Sequence, residues 1–167
     1  YLYAKRHQIF NLCRLDLNAK HWSIIKSSDI DHAYVRVPFF DESTWRGRIY
    51  DVQGLSGFEE WGAWSVSNTV VFEFNTPLPE RFDLHLNARA FGPNIGKDFK
   101  VDAGGGVAVF RFTDSSDQKK ILTIHNQAGS KILKINIPNP ISPKLLSNGQ
   151  SSDDRNLGIG FVEMKIF

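Results

Sequence analysis

Two acids, two tryptophans and two glycines crowd into residues 57–65, "GFEEWGAWS". Trp61 and Trp64 can offer flat apolar faces to the C–H surface of a sugar, with Glu59, Arg89 and Asn94 fixing hydroxyls or an anionic group. The same indoles can instead fill a structural corner between two strands, where a glycine between bulky rings suits a tight bend. Paired acids at Glu59/Glu60 and Asp153/Asp154 would serve glycoside hydrolysis if they faced each other across a cleft. Neighbours in extended chain point apart, however, so their adjacency alone does not provide that geometry. Asp114, Asp117, Asp153 and Asp154 could supply oxygen ligands to calcium, although solvated turns explain them more simply.

The other signatures of chemistry are missing. Ser56 in "GLSG" lacks the spacing of a nucleophile elbow. The glycine run 104–106 has no Lys-Ser/Thr after it and reads as a tight hairpin. His7, His21, His32, His85 and His125 form no spaced pair of metal-ligand type, and His85 reads as a solvent-facing imidazole. Cys13 is the only cysteine, which excludes an intrachain disulfide and a thiolate cluster. No catalytic residue, metal or cofactor is assigned on these grounds.

Strands must position whatever site exists. "TVVFEF" alternates with Val70, Phe72 and Phe74 on one face, and "RFDLHLNARAF" puts Phe82, Leu84, Leu86, Ala88 and Ala90 opposite Asp83, His85, Asn87, Arg89 and Phe91. Period two sustained this long implies one packed face and one wet face. "RIYDV", "FKV", "VAVFRF", "ILTIH" and "ILKINI" add short strands, and "LGIGFVEMKIF" closes the chain with Val162, Met164 and Ile166 on one face. Frequent Gly, Pro and Asn/Asp breakers between them predict an all-β fold, an antiparallel β-sandwich of jelly-roll type over residues 45–167. Residues 1–44 mix strand and helix spacings and read as an N-terminal extension or linker from a preceding domain. Residues 138–156 are proline-rich and polar, and are expected to be mobile or to lie over a face of the sandwich.

The totals agree with one globular domain: 167 residues, 41% hydrophobic and 23% charged. A net charge of +2 is too mild to demand nucleic acid. The excess is concentrated in residues 1–48, which carry +3 against −1 for the remainder. No apolar run reaches the ~18 residues of a membrane span. The chain starts at Tyr1 without an initiator Met or a signal peptide, as a fragment of something longer would.

Three ordered blocks carry a resemblance: "LSGFEEWGAWS", "PLPERFDLHLNARAFGPN" and "RNLGIGFVEMKIF". Over residues 52–167 the chain resembles the C-terminal domain of bacterial phosphoglycerol transferases that decorate osmoregulated periplasmic glucans. The matching positions are Ser56, Glu59, Trp61, Gly62, Trp64, Ser65, Pro77 to Pro79, Asn94 and Leu157 to Ile166. Ala63 stands where that family commonly has Arg, which weakens a grip on an anionic headgroup. The catalytic centre of those transferases, with a metal-bound Thr nucleophile, belongs to an upstream domain whose metal ligands have no counterpart here. The resemblance implies a non-catalytic accessory domain of a larger, periplasmic or inner-membrane-associated transferase. Its partners would be an envelope glycan or oligosaccharide and the parent's catalytic domain. The expected contact set is Glu59, Trp61, Trp64, Arg89, Asn94 and Arg155, with Arg155 equally able to pair with Glu59 and pin the corner. A purely structural domain, or a fragment of a capsule or lipopolysaccharide transferase that contributes to catalysis, are the alternatives.

Overall fold

The computed structural model describes residues 12–16 and 21–25 by backbone alone, and residues 35–41, 43 and 47–167 in full. Two compact units divide the chain, Tyr1–His32 and Ala33–Phe167. In the first, β1 (Leu12–Asp16) and β2 (His21–Ile25) pair antiparallel, Asp16 opposite His21. Trp22 and Ile25, within the stretch of mixed spacings, therefore lie in a strand.

The second unit is the expected antiparallel sandwich. One sheet runs β10 (Gln118–His125), β7 (Arg81–Ala90), β12 (Ile159–Ile166), β3 (Val35–Pro38), with β5 (Ala63–Trp64) also beside β12. The other runs β4 (Ile49–Gln53), β6 (Thr69–Phe74), β11 (Ile132–Asn136), β8 (Phe99–Ala103), β9 (Gly106–Phe110). Alternation explains why these segments pair as they do. Phe82, Leu84, Leu86, Ala88 and Ala90 of β7 are buried, as are Val70, Phe72 and Phe74 of β6. Their intervening residues are half-exposed, so each sheet buries one face against the other. Phe39, Phe72 and Phe161 pack with ring centroids 5.1–6.0 Å apart, and Phe99, Phe110 and Phe112 make a second cluster.

The glycine run is the tight hairpin expected, with Ala103 paired to Gly106. β3 belongs to the sandwich although its sequence reads as a junction. Its four residues pair with β12, Val35 opposite Ile166 and Pro38 opposite Glu163. Proline is tolerated because β3 is an edge strand, where no inner-side N–H is required of it.

β12 corrects one expectation. Its register shifts between Phe161 and Glu163, a β-bulge that places Val162 between the two alternations. Ile159 and Phe161 are buried before it, Met164 and Ile166 after it, and Val162 is only half-buried. Val162 therefore does not share the core face with Met164 and Ile166. Its carbonyl accepts from the Phe39 amide at 3.0 Å.

The 138–156 segment folds back on itself around one helical turn, α1 (Pro143–Leu146), with Ser142 capping Leu145. Ile141 bridges Leu157, and the Lys144 amide donates to the Asp153 carbonyl at 2.8 Å. No helix among the described residues is long and apolar enough to cross a membrane.

Candidate functional site: the tryptophan corner

The corner is built by a two-residue turn. Glu59 and Gly62 exchange backbone hydrogen bonds of 2.7 and 3.0 Å, leaving Glu60 and Trp61 at the tip. The chain then enters β5, whose Trp64 lies opposite Gly160 of β12. Gly62 sits against the bulge: a Cβ there would come 2.0 Å from the Phe161 carbonyl oxygen. Only glycine permits that approach. Ser56 closes the base of the corner, its Oγ accepting from the Trp64 amide at 3.1 Å while its own amide donates to the Trp64 carbonyl at 2.8 Å.

Both indoles are half-buried, and neither belongs to the core between the sheets. They lie on the outer face, over Gly160. A Cβ on Gly160 would stand 2.9 Å from Trp61 Cη2 and 2.9 Å from Trp64 Cζ3. Gly160 also pairs with Arg89 of β7, so Trp64, Gly160 and Arg89 form one cross-strand row. The two rings meet edge to face, 5.1 Å apart at 65°, and Trp64 meets Phe91 at 5.8 Å. They make an angled step rather than a flat platform.

Polar groups tie the step down. Trp61 Nε1 donates to Glu59 Oε2 at 2.8 Å, and Arg155 Nη1 reaches Glu59 Oε1 at 3.4 Å. Arg155 is held more closely by Asp153, at 2.7 Å. Hydrogen bonding from the guanidinium keeps the Asp153 carboxyl below the usual carboxylate range and pushes Arg155 above its ordinary value. The Arg155–Glu59 contact is roughly two-fifths exposed on each side, so it contributes at most about 1 kcal/mol. Arg89 lies over the Trp61 ring, its Cζ 4.4 Å from the centroid, and its Nε contacts Asp117 Oδ1 at 2.6 Å. A cation–π contact at this exposure is worth about 0.5–1 kcal/mol.

Five of the six residues singled out in the sequence thus converge: Glu59, Trp61, Trp64, Arg89 and Arg155. Asn94 does not join them at the surface. It is fully buried, in a 3-10 turn (Gly92–Asn94), donating to the carbonyls of Phe91 (2.9 Å) and Asn139 (2.8 Å) and accepting from the Asn139 amide (2.8 Å). Its amide is a clasp between two loops. Gly160, Asp117 and Asp153 also build the corner, a role the sequence did not indicate for them: the two acids read as turn or calcium-type carboxylates, and strand pairing or loop folding brings all three to the indoles and arginines. Asp114 hydrogen-bonds Ser116 and sits at about 2, its oxygens holding their own turn. Among the described residues no group of three or more His, Cys, Asp or Glu is placed to hold a metal.

Known proteins place this arrangement in context. A family described as a domain of unknown function, DUF7024, matches residues 32–167. Phosphoglycerol transferase I of Citrobacter koseri is 35% identical over 123 residues, and that of Salmonella paratyphi B is 33% identical over 123. Phosphoglycerol transferase I of Escherichia fergusonii is 29% identical over 131 residues. Each alignment covers 71% of this chain but only 16% of the relative. No solved structure matches the chain. The match over residues 32–167 makes this chain a member of the DUF7024 family, and its relatives make it a domain related to part of the phosphoglycerol transferases I.

Proposed function

We propose that the sandwich is a non-catalytic accessory domain of a larger envelope-glycan transferase, and that it docks the acceptor glycan at the Trp61/Trp64 corner. The parent would transfer phosphoglycerol or a sugar and work at the periplasmic side of the inner membrane, with its catalytic domain as the second partner. One observation supports docking above all: two half-buried indoles lie on the outer face, over a glycine that makes room for them, instead of filling the core. A sugar ring would rest in the angled step, with Glu59, Arg89 and Arg155 at its rim. Asn94 supports the neighbouring loop and makes no contact in this reading.

A second reading has its own support. Glu59, Trp61, Arg89 and Arg155 all spend hydrogen-bonding groups within the protein, as expected of a corner that only packs. Titration with bacterial surface oligosaccharides, followed by tryptophan fluorescence and calorimetry, separates the two. Docking requires saturable binding that Trp64→Ala abolishes. Absence of heat and fluorescence change across the set would leave the purely structural reading.

A further inference from the structure

The same outer face carries a depression that the corner does not use. His85, Asn87, Lys119, Ile121, Glu163 and Lys165 line it, from β7, β10 and β12. Two cross-strand rows build it: Glu163–Asn87–Lys119, and Lys165–His85–Ile121. It is a half-open hollow of about 130 Å³, large enough to take a small oxyanion. Along β7, its residues Asn87 and His85 lie two and four positions from Arg89, about 7 and 13 Å in a strand.

Its chemistry is the reverse of the corner's. At the corner the polar side chains are occupied by one another. Here His85, Asn87 and Lys119 make no side-chain hydrogen bond or ion pair with any described residue, and the His85 ring packs against that of Phe167, centroids 4.5 Å apart. His85 and Asn87 are half-buried and Lys119 is exposed; polar groups left open in this way are completed by water or by a ligand. The unspent groups are rich in donors: three from the ammonium, two from the Asn87 amide, one or more from the imidazole.

The charges facing the depression point the same way. β10 brings Lys119 and β12 brings Lys165 and Glu163, while Arg36 of β3 stands beyond the hollow as the cross-strand neighbour of Lys165. Glu163 already faces two cations, Arg36 at 2.6 Å and Lys165 at 3.8 Å. Asp83, one step further along β7, accepts from Thr123 at 2.7 Å. The Lys119 charge has no carboxylate opposite it. A donor-rich, net positive hollow of this size suits an acceptor-rich anion, and a lysine is an effective point charge for phosphate.

We infer that the depression between β7, β10 and β12 binds the phosphate group of a phosphate ester, with Lys119, His85 and Asn87 as its direct partners. The site stands independently of glycan docking at Trp61 and Trp64. Its ester could be soluble or a lipid headgroup, since both present the same oxyanion.

The test uses the 167-residue chain, with orthophosphate and glucose 6-phosphate as probes and glucose as the neutral control, at constant ionic strength. Nuclear magnetic resonance should show both phosphates moving the His85, Asn87 and Lys119 signals with a Kd of about 1–10 mM, and glucose leaving them in place. Lys119→Gln should weaken binding about fivefold to tenfold, whereas Lys134→Gln, exposed on the other sheet, should leave it unchanged. Sedimentation with phosphatidylcholine vesicles, with and without phosphatidylserine, sorts the source. Phosphate-reversible binding to the anionic vesicles indicates a lipid headgroup, and its absence indicates a soluble ester. Unmoved signals at about 20 mM of both phosphates, equal movement with glucose, or unchanged affinity in Lys119→Gln would each overturn the inference.

Discussion

Gly160→Ala tests the corner through the sign of a stability change. A glycine in a strand interior is ordinarily a weakness, and its replacement by alanine stabilises by about 0.4–1 kcal/mol through the unfolded chain alone. That gain would apply to Gly160 if the tryptophans were loosely placed. In the structure the new Cβ would stand 2.9 Å from both indoles and 3.1 Å from a second atom of Trp61. Ordinary contact needs about 3.5–4 Å, so both rings must move outward by more than half an ångström. Trp61 cannot do so freely, because its Nε1 is bonded to Glu59 and its face lies under Arg89. Overpacking of this kind costs about 1–3 kcal/mol, which exceeds the entropic gain. A net loss of roughly 1–2 kcal/mol is expected. Urea denaturation by far-UV circular dichroism measures it, and a changed tryptophan emission maximum should accompany it. An alanine variant equal to or more stable than the parent would refute the packing of the indoles on β12.

The remaining outcomes concern the loops and the acids. Asn94→Ala removes a buried amide that serves three backbone groups. Each group left unsatisfied costs about 1–3 kcal/mol, so unfolding free energy should fall by at least about 2 kcal/mol, and unchanged stability would discount the clasp. Asp114 and Asp153 have folded values below their ordinary ones, Asp114 at about 2. A depressed carboxyl contributes stability that is present above its unfolded value near 3.8 and lost as pH falls through the folded one. The chain should therefore weaken as pH drops from about 4 to 2, and Asp114→Asn should flatten that dependence in pH-resolved thermal melts.

Much of the fold was legible because one face of each long strand is dry. β6 reads to the residue and β7 ends one residue early, at Ala90 rather than Phe91, since Phe72 or Leu86 on the wet face would be costly while Asp83 and Arg89 tolerate water. β12 was misread at Val162 because a bulge costs one residue and leaves no mark in composition. β10 begins at Gln118, ahead of the apolar run, since Lys119 and Lys120 belong to a strand whose polar positions dominate its start. Trp61 and Trp64 stand out as either a sugar platform or a structural corner, but their side of the sheet is decided by Gly160, far along the chain. Asn94 looked like a surface group because polar turns usually are; burial became visible only when residues 92–96 met Asn139. His85 and Asn87 stood on the correct face in the alternation, yet their neighbours Lys119 and Lys165 are set by strand order, which periodicity does not encode.

The pairing of β3 with β12 has a mechanical consequence. Val35 lies opposite Ile166, so the unit's first and last strands meet at the same end of one ladder. Tension applied at those two residues would peel the rungs apart singly, like a zipper, instead of loading four of them in parallel. The sandwich is thus built to yield to a pull between its ends at low force, while its interior layers stay intact.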